Sequence, residues 1–183
     1  MIGPELPALL DDDVDLHWNS VLFNNGRIYQ HKIMRLNYTT YDVRRDEDII
    51  HLGNSHCDVM VLNSETAAGA HPFCYARILG IFHANIVYIG EGIRDFNPRR
   101  LDFLWVRWYT IRDGPRSLAG LLDCLGFPPM AHEDSFEFLD PADVLRACHV
   151  VPLFSQGPVH SDGIGMSFWA GDVNDWKIYC IDR

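Results

Sequence analysis

The segment from residue 75 to residue 111 constrains the fold more than any other part of this chain of 183 residues. It reads YARILGIFHANIVYIGEGIRDFNPRRLDFLWVRWYTI and contains two long runs that are rich in β-branched and aromatic residues. Residues of these types in alternating patterns are typical of β-strands. The segment therefore predicts extended strands at the centre of a β-rich domain.

Three strands are predicted in and around this segment, at residues 73–82, 86–89 and 101–111, with a turn at 83–85 between the first two. Gly80 inside the first strand indicates a bulge or a sharp bend. Both faces of the 101–111 strand are largely apolar, which predicts a central strand with a neighbour on each side.

Further strand and turn signals lie outside this segment. Asn24-Asn25-Gly26 stands between two apolar runs and predicts a hairpin of residues 17–23 and 27–34, because Asn and Gly tolerate positive φ. Residues 44–57 are polar and are predicted to form a loop. Shorter strands are predicted at residues 58–62, 148–154 and 176–181.

Helix signals are few. Ser117 is a capping residue before leucines at helical spacing, which predicts a short helix over residues 117–125. Asp140 followed by Pro141 predicts one helical turn that ends near Arg146. Many short strands with one or two short peripheral helices predict a mainly β fold, built as a single bent and partly open small β-barrel. This domain is predicted to span residues 17–183, after an acidic, flexible lead-in of residues 1–16.

Composition and the spacing of the cysteines limit the possible functions and cellular locations of the protein. The net charge of −10 argues against non-specific binding of polyanions by the whole surface. The five cysteines are scattered without a CxxC pair, and no signal peptide or run of about 20 apolar residues is visible. We therefore expect an intracellular protein with reduced thiols and no membrane contact. The sequence contains no basic localisation cluster, so these features leave open whether the protein is nuclear or cytoplasmic.

Arginine and aromatic side chains are interleaved around the 101–111 strand. Such side chains can hold phosphates and stack bases, or the rings can form a cage for a methylated lysine. The alternative is structural: Trp105 and Trp108 fall on opposite strand faces, so at least one is expected in the core, and Arg99 and Arg100 could pair with the acidic segment 133–143. The candidate binding residues are Arg94, Arg99, Arg100, Arg112 and Arg116 together with Tyr75, Trp105, Trp108 and Tyr109.

Metal and thiol chemistry have weaker support. His56, Cys57, His71 and Cys74 are zinc-ligand types, but their spacing matches no common zinc finger. The alternative is a half-buried Cys74 and two exposed loop histidines. No cysteine has an evident histidine and third partner for nucleophilic catalysis. We therefore predict no catalytic residue, no cofactor and no enzymatic activity, with a metal- or thiol-dependent enzyme as the less favoured alternative.

Five phrases occur in order along the chain: LHWNSVLFNNGRIYQH, NYTTYDVRRDEDII, HPFCYARILGIFHANIVYIGEG, RRLDFLWVRWYTI and DPADVLRACHVVPLF. Together they resemble the C-terminal region of Plavaka-type DNA transposon proteins from mushroom-forming fungi, from about Leu16 to the end of the chain. The acidic catalytic residues of that family lie in a separate upstream domain. The resemblance therefore implies an accessory domain of a mobile-element protein, or a domesticated fragment of one.

A more distant similarity is to the bromo-adjacent homology domain. Its "A-R-I" strand matches residues 76–78, its V-R-W-aromatic motif matches residues 106–109, and its late strand matches Cys148 and Val150. The similarity implies a distorted barrel that reads histone tails or docks chromatin proteins.

These observations predict a non-enzymatic binding module of a transposon-derived protein. Its expected partner is DNA or a chromatin peptide resembling a histone tail, contacted through the arginine and aromatic surface. The alternative is a protein–protein interaction or oligomerisation domain, a homodimer included, that binds no nucleic acid.

Overall fold

The computed structural model describes residues 20–39, 45–53, 57–64, 70–90, 95–115 and 122–182. Of these residues 58% lie in strands and no helix reaches seven residues, so the prediction of a mainly β chain is confirmed. None of the helices in these ranges is long and apolar enough to cross a bilayer.

The secondary structure of the described residues comprises twelve strands and four short 3-10 helices. The strands are β1 (Val21–His31), β2 (Ile33–Thr39), β3 (Arg45–His51), β4 (Asp58–Leu62), β5 (Phe73–Tyr88), β6 (Arg99–Trp108), β7 (Thr110–Arg112), β8 (Asp123–Gly126), β9 (Phe136–Leu139), β10 (Val144–Ala147), β11 (His149–Pro152) and β12 (Tyr179–Asp182). The 3-10 helices are Glu133–Ser135, Pro141–Asp143, Phe154–Gln156 and Asp172–Asn174.

The chain divides into two compact units, and the smaller one combines residues 1–29 with residues 83–101. In this unit β1 pairs with β5. The backbone N–H of Ile89 donates to the carbonyl of Ser20 at 2.6 Å. The ring of Tyr29 stacks on the ring of His83 with centroids 4.7 Å apart.

The larger unit combines residues 30–82 with residues 102–183 and contains the candidate site described below. Its main sheet runs in the order β10-β4-β5-β6-β9, and a second sheet runs β11-β12-β8-β7. The strands β2 and β3 form a separate antiparallel pair. The placement of β6 between β5 and β9 confirms the predicted central position of the strand after residue 101.

The two end strands of the main sheet, β9 and β10, are close neighbours in sequence, and from this we infer that the sheet is curled. Only residues 140–143 separate β9 from β10. The end strands of a flat five-stranded path would lie about 19 Å apart, at about 4.8 Å per strand. Residues 141–143 form a 3-10 helix, which rises only about 2 Å per residue and so cannot bridge that distance. Among the described strands β9 and β10 do not pair with each other, and no closed barrel is found.

The larger unit has two hydrophobic cores. The first contains fully buried residues from β3, β4 and β6, among them Ile50, Val59, Leu104 and Val106. The second is aromatic and is described with the site. Alternation along β6 sends Leu104 and Val106 to the first core, as the period of two requires.

The predicted hairpin of residues 17–23 and 27–34 is wrong in its described part. Asn25 and Gly26 do have positive φ, at 58° and 60°. They lie inside one strand, β1, which pairs with β5 instead of folding back on itself. Positive φ at two successive residues fits a bulge as well as a turn, and pairing with a distant strand decides between them.

Two predicted breaks in the strands are also wrong. The predicted turn at 83–85 lies inside the continuous 16-residue strand β5. The predicted polar loop 44–57 contains β3, whose side chains are mostly exposed and whose backbone pairs with β2. In both cases pairing with a neighbouring strand imposes an extended conformation that the local residues do not predict.

The predicted helix over 117–125 is contradicted where it is described. Residues 123–126 form β8, which pairs with β7 and β12, and residues 117–121 lie outside the described part of the chain. The cap at Asp140 is confirmed, since its side chain accepts from the backbone N–H of Ala142 at 2.8 Å. The turn ends at Asp143, however, because β10 begins at the next residue.

Candidate functional site

Two of the predicted stacking residues, Tyr75 and Tyr109, lie in the interior of the larger unit. They are 1% and 7% exposed. The backbone N–H of Tyr109 donates to the carbonyl of Tyr75 at 2.9 Å. A ring that stacks on a base or encloses a methylated lysine needs an open face. These two tyrosines therefore contribute to packing, within a core that also contains Leu125, Val150, Tyr179 and Ile181.

The two tryptophans of the predicted surface are both half-buried. Trp108 packs against the first core, which agrees with the expectation that at least one of them is a core residue. Its Nε1–H donates to Oε2 of Glu137 at 2.8 Å. Trp105 lies beside Phe136, with ring centroids 6.1 Å apart.

The predicted arginines divide between the two units. Arg99 and Arg100 belong to the smaller unit, where Arg99 pairs with Asp95 at 3.3 Å. Arg112 belongs to the larger unit and donates from Nη2 to the carbonyl of Phe127 at 3.1 Å. Arg94 and Arg116 lie outside the described residues.

A buried network of hydrogen bonds and ion pairs in the larger unit joins Tyr109 to charged residues that were not predicted as a site. Arg77 on β5 donates from Nε to Oδ1 of Asp58 at 3.2 Å and from Nη2 to the hydroxyl of Tyr109 at 2.7 Å. The Tyr109 hydroxyl in turn donates to Oδ1 of Asp58 at 2.9 Å. These side chains thereby connect β4, which carries Asp58, β5, which carries Arg77, and Tyr109, which directly follows β6.

Asp175 connects a second arginine to this network. Its Oδ1 accepts from Nη1 of Arg77 at 3.2 Å, and its Oδ2 accepts from Nη1 of Arg107 at 2.6 Å. The Arg107 guanidinium lies 3.9 Å from the ring centroid of Phe127, and that ring stacks on Tyr109 with centroids 4.1 Å apart. The buried Arg107 and the half-buried Arg77 are therefore balanced by two buried aspartates, as low-dielectric surroundings require.

The protonation states in this network follow from burial and from neighbouring charges. Burial alone would lower the pKa of Arg77, but the oxygens of Tyr109, Asp58 and Asp175 raise that pKa above its ordinary value. Burial and the Asp58 carboxylate raise the pKa of Tyr109 well above its ordinary value. The network is thus a fixed set of cations and hydroxyl donors at neutral pH, which suits a structural role.

Charged residues within the apolar strands were the sequence signal for this network. Arg77 and Arg107 each interrupt an apolar strand, and charged residues are almost never fully buried unless they are paired. Asp58 stands at the start of a buried strand and gives a weaker signal. Asp175 lies in a polar loop with no pattern around it, so only the tertiary structure reveals its role.

The candidate metal ligands that the structure describes make hydrogen bonds or pack against the core. Nδ1 of His71 lies 2.8 Å from the carbonyl oxygen of Phe73, and its Nε2 lies 3.1 Å from Oδ2 of Asp123. Cys57 and Cys74 pack against the first core. No group of three potential metal ligands occurs in the described ranges, which do not include His56. Burial, reinforced by the neighbouring carboxylate of Asp58, raises the pKa of Cys57 to about 11, which disfavours a nucleophilic thiolate.

A wide acidic groove of about 990 Å³ is the most distinctive surface feature of the larger unit. Four of the residues that line it are acidic, and its lining includes no Lys, Arg or His among the described residues. Trp108 and Phe136, which are half-buried, supply aromatic surface, and Leu62 and Leu145 supply exposed aliphatic surface. The acidic residues are Glu133, Asp134, Glu137 and Asp143.

Short local structures fix the positions of these carboxylates. Glu133 and Asp134 lie on a 3-10 helix whose cap, His132, accepts from the backbone N–H of Asp134 at 3.3 Å. Glu137 lies on β9 and is oriented by the indole N–H of Trp108. Asp143 ends the 3-10 helix that Asp140 caps. All four side chains are exposed, so their charges face solvent.

The groove lies where the curled main sheet brings its end strands near each other. Its lining includes Phe136 and Leu139 from β9 and Leu145 from β10. β9 pairs with β6 on one side and with no other strand that the structure describes. An unpaired strand edge offers backbone N–H and C=O groups to an extended chain. The arrangement therefore combines an acidic surface, aromatic rings and an open edge.

Comparison with known proteins does not assign this chain to a class. No protein family, no curated protein and no solved structure matches it.

Proposed function

We propose that this chain is a non-enzymatic binding module for a Lys- and Arg-rich peptide, such as a histone tail. The observation that carries the proposal is the acidic groove around Trp108. Four exposed carboxylates and no base among its described lining residues give the groove a local charge that attracts a cationic chain. The same charge repels a DNA backbone, so the groove favours the peptide over DNA as the partner.

The aromatic side chains of the groove suit the same ligand. Lys ammonium and Arg guanidinium groups are attracted to the faces of aromatic rings, most strongly to tryptophan. Trp108 is held by its hydrogen bond to Glu137, so ring and carboxylate can act on one cationic side chain. Exposed pairs of this kind contribute only about 0.2–1 kcal/mol each. Useful affinity therefore requires several contacts along an extended peptide.

The open edge of β9 supplies a way to align such a peptide. An extended chain can add to a sheet edge through backbone hydrogen bonds, while its side chains enter neighbouring pockets. We infer that the curled sheet is a partly open barrel of the bromo-adjacent homology kind, with the ligand lying between its end strands. The sequence resemblances support a role at chromatin in the nucleus, within a transposon-derived protein.

The test is calorimetric titration of the protein with a Lys- and Arg-rich histone-tail peptide. We expect binding that weakens with added salt, because the contacts are between exposed charges. The double variant Glu137→Gln with Asp143→Asn should weaken binding about tenfold. The matched control is Asp113→Asn, which removes an exposed carboxylate outside the groove lining and should leave affinity unchanged.

Duplex DNA serves as the competing ligand. If DNA binds and the peptide does not, the groove is not the site, and the arginines of the sequence prediction are the next candidates. In that case Arg99→Ala with Arg100→Ala should flatten the dependence of affinity on salt. Peptide binding that is insensitive to the double carboxylate variant would overturn the proposal.

A further inference from the structure

A second cavity, of about 260 Å³, lies in the larger unit and has the opposite electrostatic character to the groove. Residues 127–130, which follow β8, and the segment 159–177 form much of its wall. The cationic residues Arg107, Arg112 and Lys177 line it. The chain as a whole has a net charge of −10, so three cationic residues around one cavity contrast with its overall acidic character.

The Arg107 guanidinium has hydrogen-bonding capacity that the protein does not use. Its side chain is only 5% exposed, and Nη1 donates to Asp175. Its Nε–H has no hydrogen-bond partner among the residues that the structure describes. A buried donor left without an acceptor is unfavourable, so an acceptor brought to Arg107 by a ligand would stabilise the complex.

The two aspartates beside the cavity do not cancel its positive charge. Asp175 is engaged by the buried arginines. Asp172 accepts from the backbone N–H groups of Met166 at 2.6 Å and Ser167 at 2.8 Å, and it lies 3.0 Å from Nε2 of His160. Both aspartates are 2% exposed or less, whereas Arg112 and Lys177 are exposed. The charge available to a ligand is therefore positive.

The remaining wall is apolar and largely planar. It includes Trp176 and the rings of Pro128 and Pro129, whereas the adjacent Phe127 ring is already in contact with the Arg107 guanidinium and with Tyr109. A free inorganic ion would leave this surface without a contact. The volume is slightly below the usual range for small-molecule pockets, about 300–1,000 Å³, which limits the ligand to a single ring and one anionic group.

We propose that this cavity binds a small oxyanion carried on an aromatic ring, an aryl phosphate or an aryl carboxylate, through Arg107, Arg112 and Lys177. Guanidinium groups match the geometry of phosphate and carboxylate oxygens, and the rings of the wall pack against the ring of the ligand. The site is distinct from the acidic groove and does not rest on the function proposed for it.

The test is ligand-observed NMR and calorimetry with phenyl phosphate, benzoate, inorganic phosphate and neutral benzyl alcohol, each up to about 5 mM. We expect phenyl phosphate or benzoate to bind, and inorganic phosphate and benzyl alcohol to bind at least about tenfold more weakly. Tighter binding of phenyl phosphate identifies a phosphate monoester as the ligand class, and tighter binding of benzoate identifies a carboxylate.

Matched variants locate the site. Lys177→Gln and Arg112→Gln should each weaken binding about fivefold to tenfold. The chain has one other lysine, Lys32, which is exposed and lies outside the cavity lining, so Lys32→Gln is the control and should have no effect. The proposal is overturned if neither aryl anion binds, if inorganic phosphate binds equally well, or if the Lys177 and Lys32 variants behave alike.

Discussion

Oδ2 of Asp175 accepts a hydrogen bond of 2.6 Å from Nη1 of Arg107, and both side chains are 5% exposed or less. The two residues are 68 positions apart in the chain. Their contact joins β6 to the loop that precedes β12. Since Asp175 also accepts from the half-buried Arg77, one carboxylate holds two guanidinium groups in place.

Removal of the Asp175 charge should destabilise the protein strongly. Asp175→Asn removes the carboxylate charge that Arg107 contacts in the interior and leaves Arg77 paired with Asp58. Loss of one partner of a buried ion pair costs about 3–5 kcal/mol. Urea unfolding followed by circular dichroism measures the change in the free energy of unfolding. The control is Arg35→Gln, which breaks an exposed pair with Glu47 and should cost less than about 1 kcal/mol; equal effects would contradict the assignment.

Two cysteine thiols should react slowly with alkylating reagents. Burial, reinforced by the Asp58 carboxylate, raises the pKa of Cys57 to about 11, and burial likewise raises the pKa of Cys148. At about pH 8 the thiolate fraction of Cys57 is then about a hundredfold below that of a free cysteine. Peptide-level mass spectrometry after iodoacetamide treatment measures the rates, and denatured protein is the control. Rapid labelling of Cys57 in the folded protein would contradict the prediction.

Acid should weaken the contacts of Asp172. Burial opposes ionisation, but hydrogen bonds from the backbone of Met166 and Ser167 prevail and lower the pKa of this carboxyl. The folded state therefore binds the proton less readily than the unfolded state. The stabilisation is present above the ordinary value of about 3.9 and is lost as pH falls through the lower, folded pKa.

The variant Asp172→Asn tests this dependence. Its melting temperature should fall below that of the parent protein at about pH 7, and the difference should narrow at about pH 2.5. Differential scanning calorimetry at both pH values measures the two gaps. A gap of constant size at both pH values would show that the ionised form of Asp172 makes no special contribution.

A methyl group at Gly80 should disturb the aromatic packing on β5. A Cβ atom there would clash with the ring of Phe82, which stacks on Phe103 with centroids 5.5 Å apart. Gly80→Ala should therefore cost about 1–3 kcal/mol of the free energy of unfolding, as overpacking does. The double variant with Phe82→Leu should cost less than the two single changes added together. Simple additivity would remove the clash as the cause.

The predictability of the fold varies from element to element for physical reasons. β4 and the central strand β6 were predicted because their burial leaves continuous apolar runs in the sequence. β3 was missed because its residues are polar and mostly exposed, and only its pairing with β2 makes it a strand. Residues 123–125 were predicted as helix from leucine spacing, yet strands β7 and β12 on either side impose an extended conformation.

The candidate site was predicted in part. Trp108 was recognised as a candidate, and it lies in the acidic groove. The acidic residues of the groove belong to segment 133–143, for which the sequence predicted only ion pairs with Arg99 and Arg100. They are Glu133, Asp134, Glu137 and Asp143. Sequence distance from β6 concealed their position beside Trp108, because pairing of β6 with β9 brings them there.

The sequence by itself determined that this chain is mainly β, that β6 is central, and that a cap begins a turn at Asp140, since these depend on local pattern and residue type. Only the tertiary structure decided which charged residues are buried pairs and which face solvent. The side chains of Arg77, Arg107 and Asp175 acquire their partners from strands and loops distant in the chain, and the acidic groove exists because the main sheet curls. Long-range pairing of this kind leaves no periodic trace in the residues that it joins.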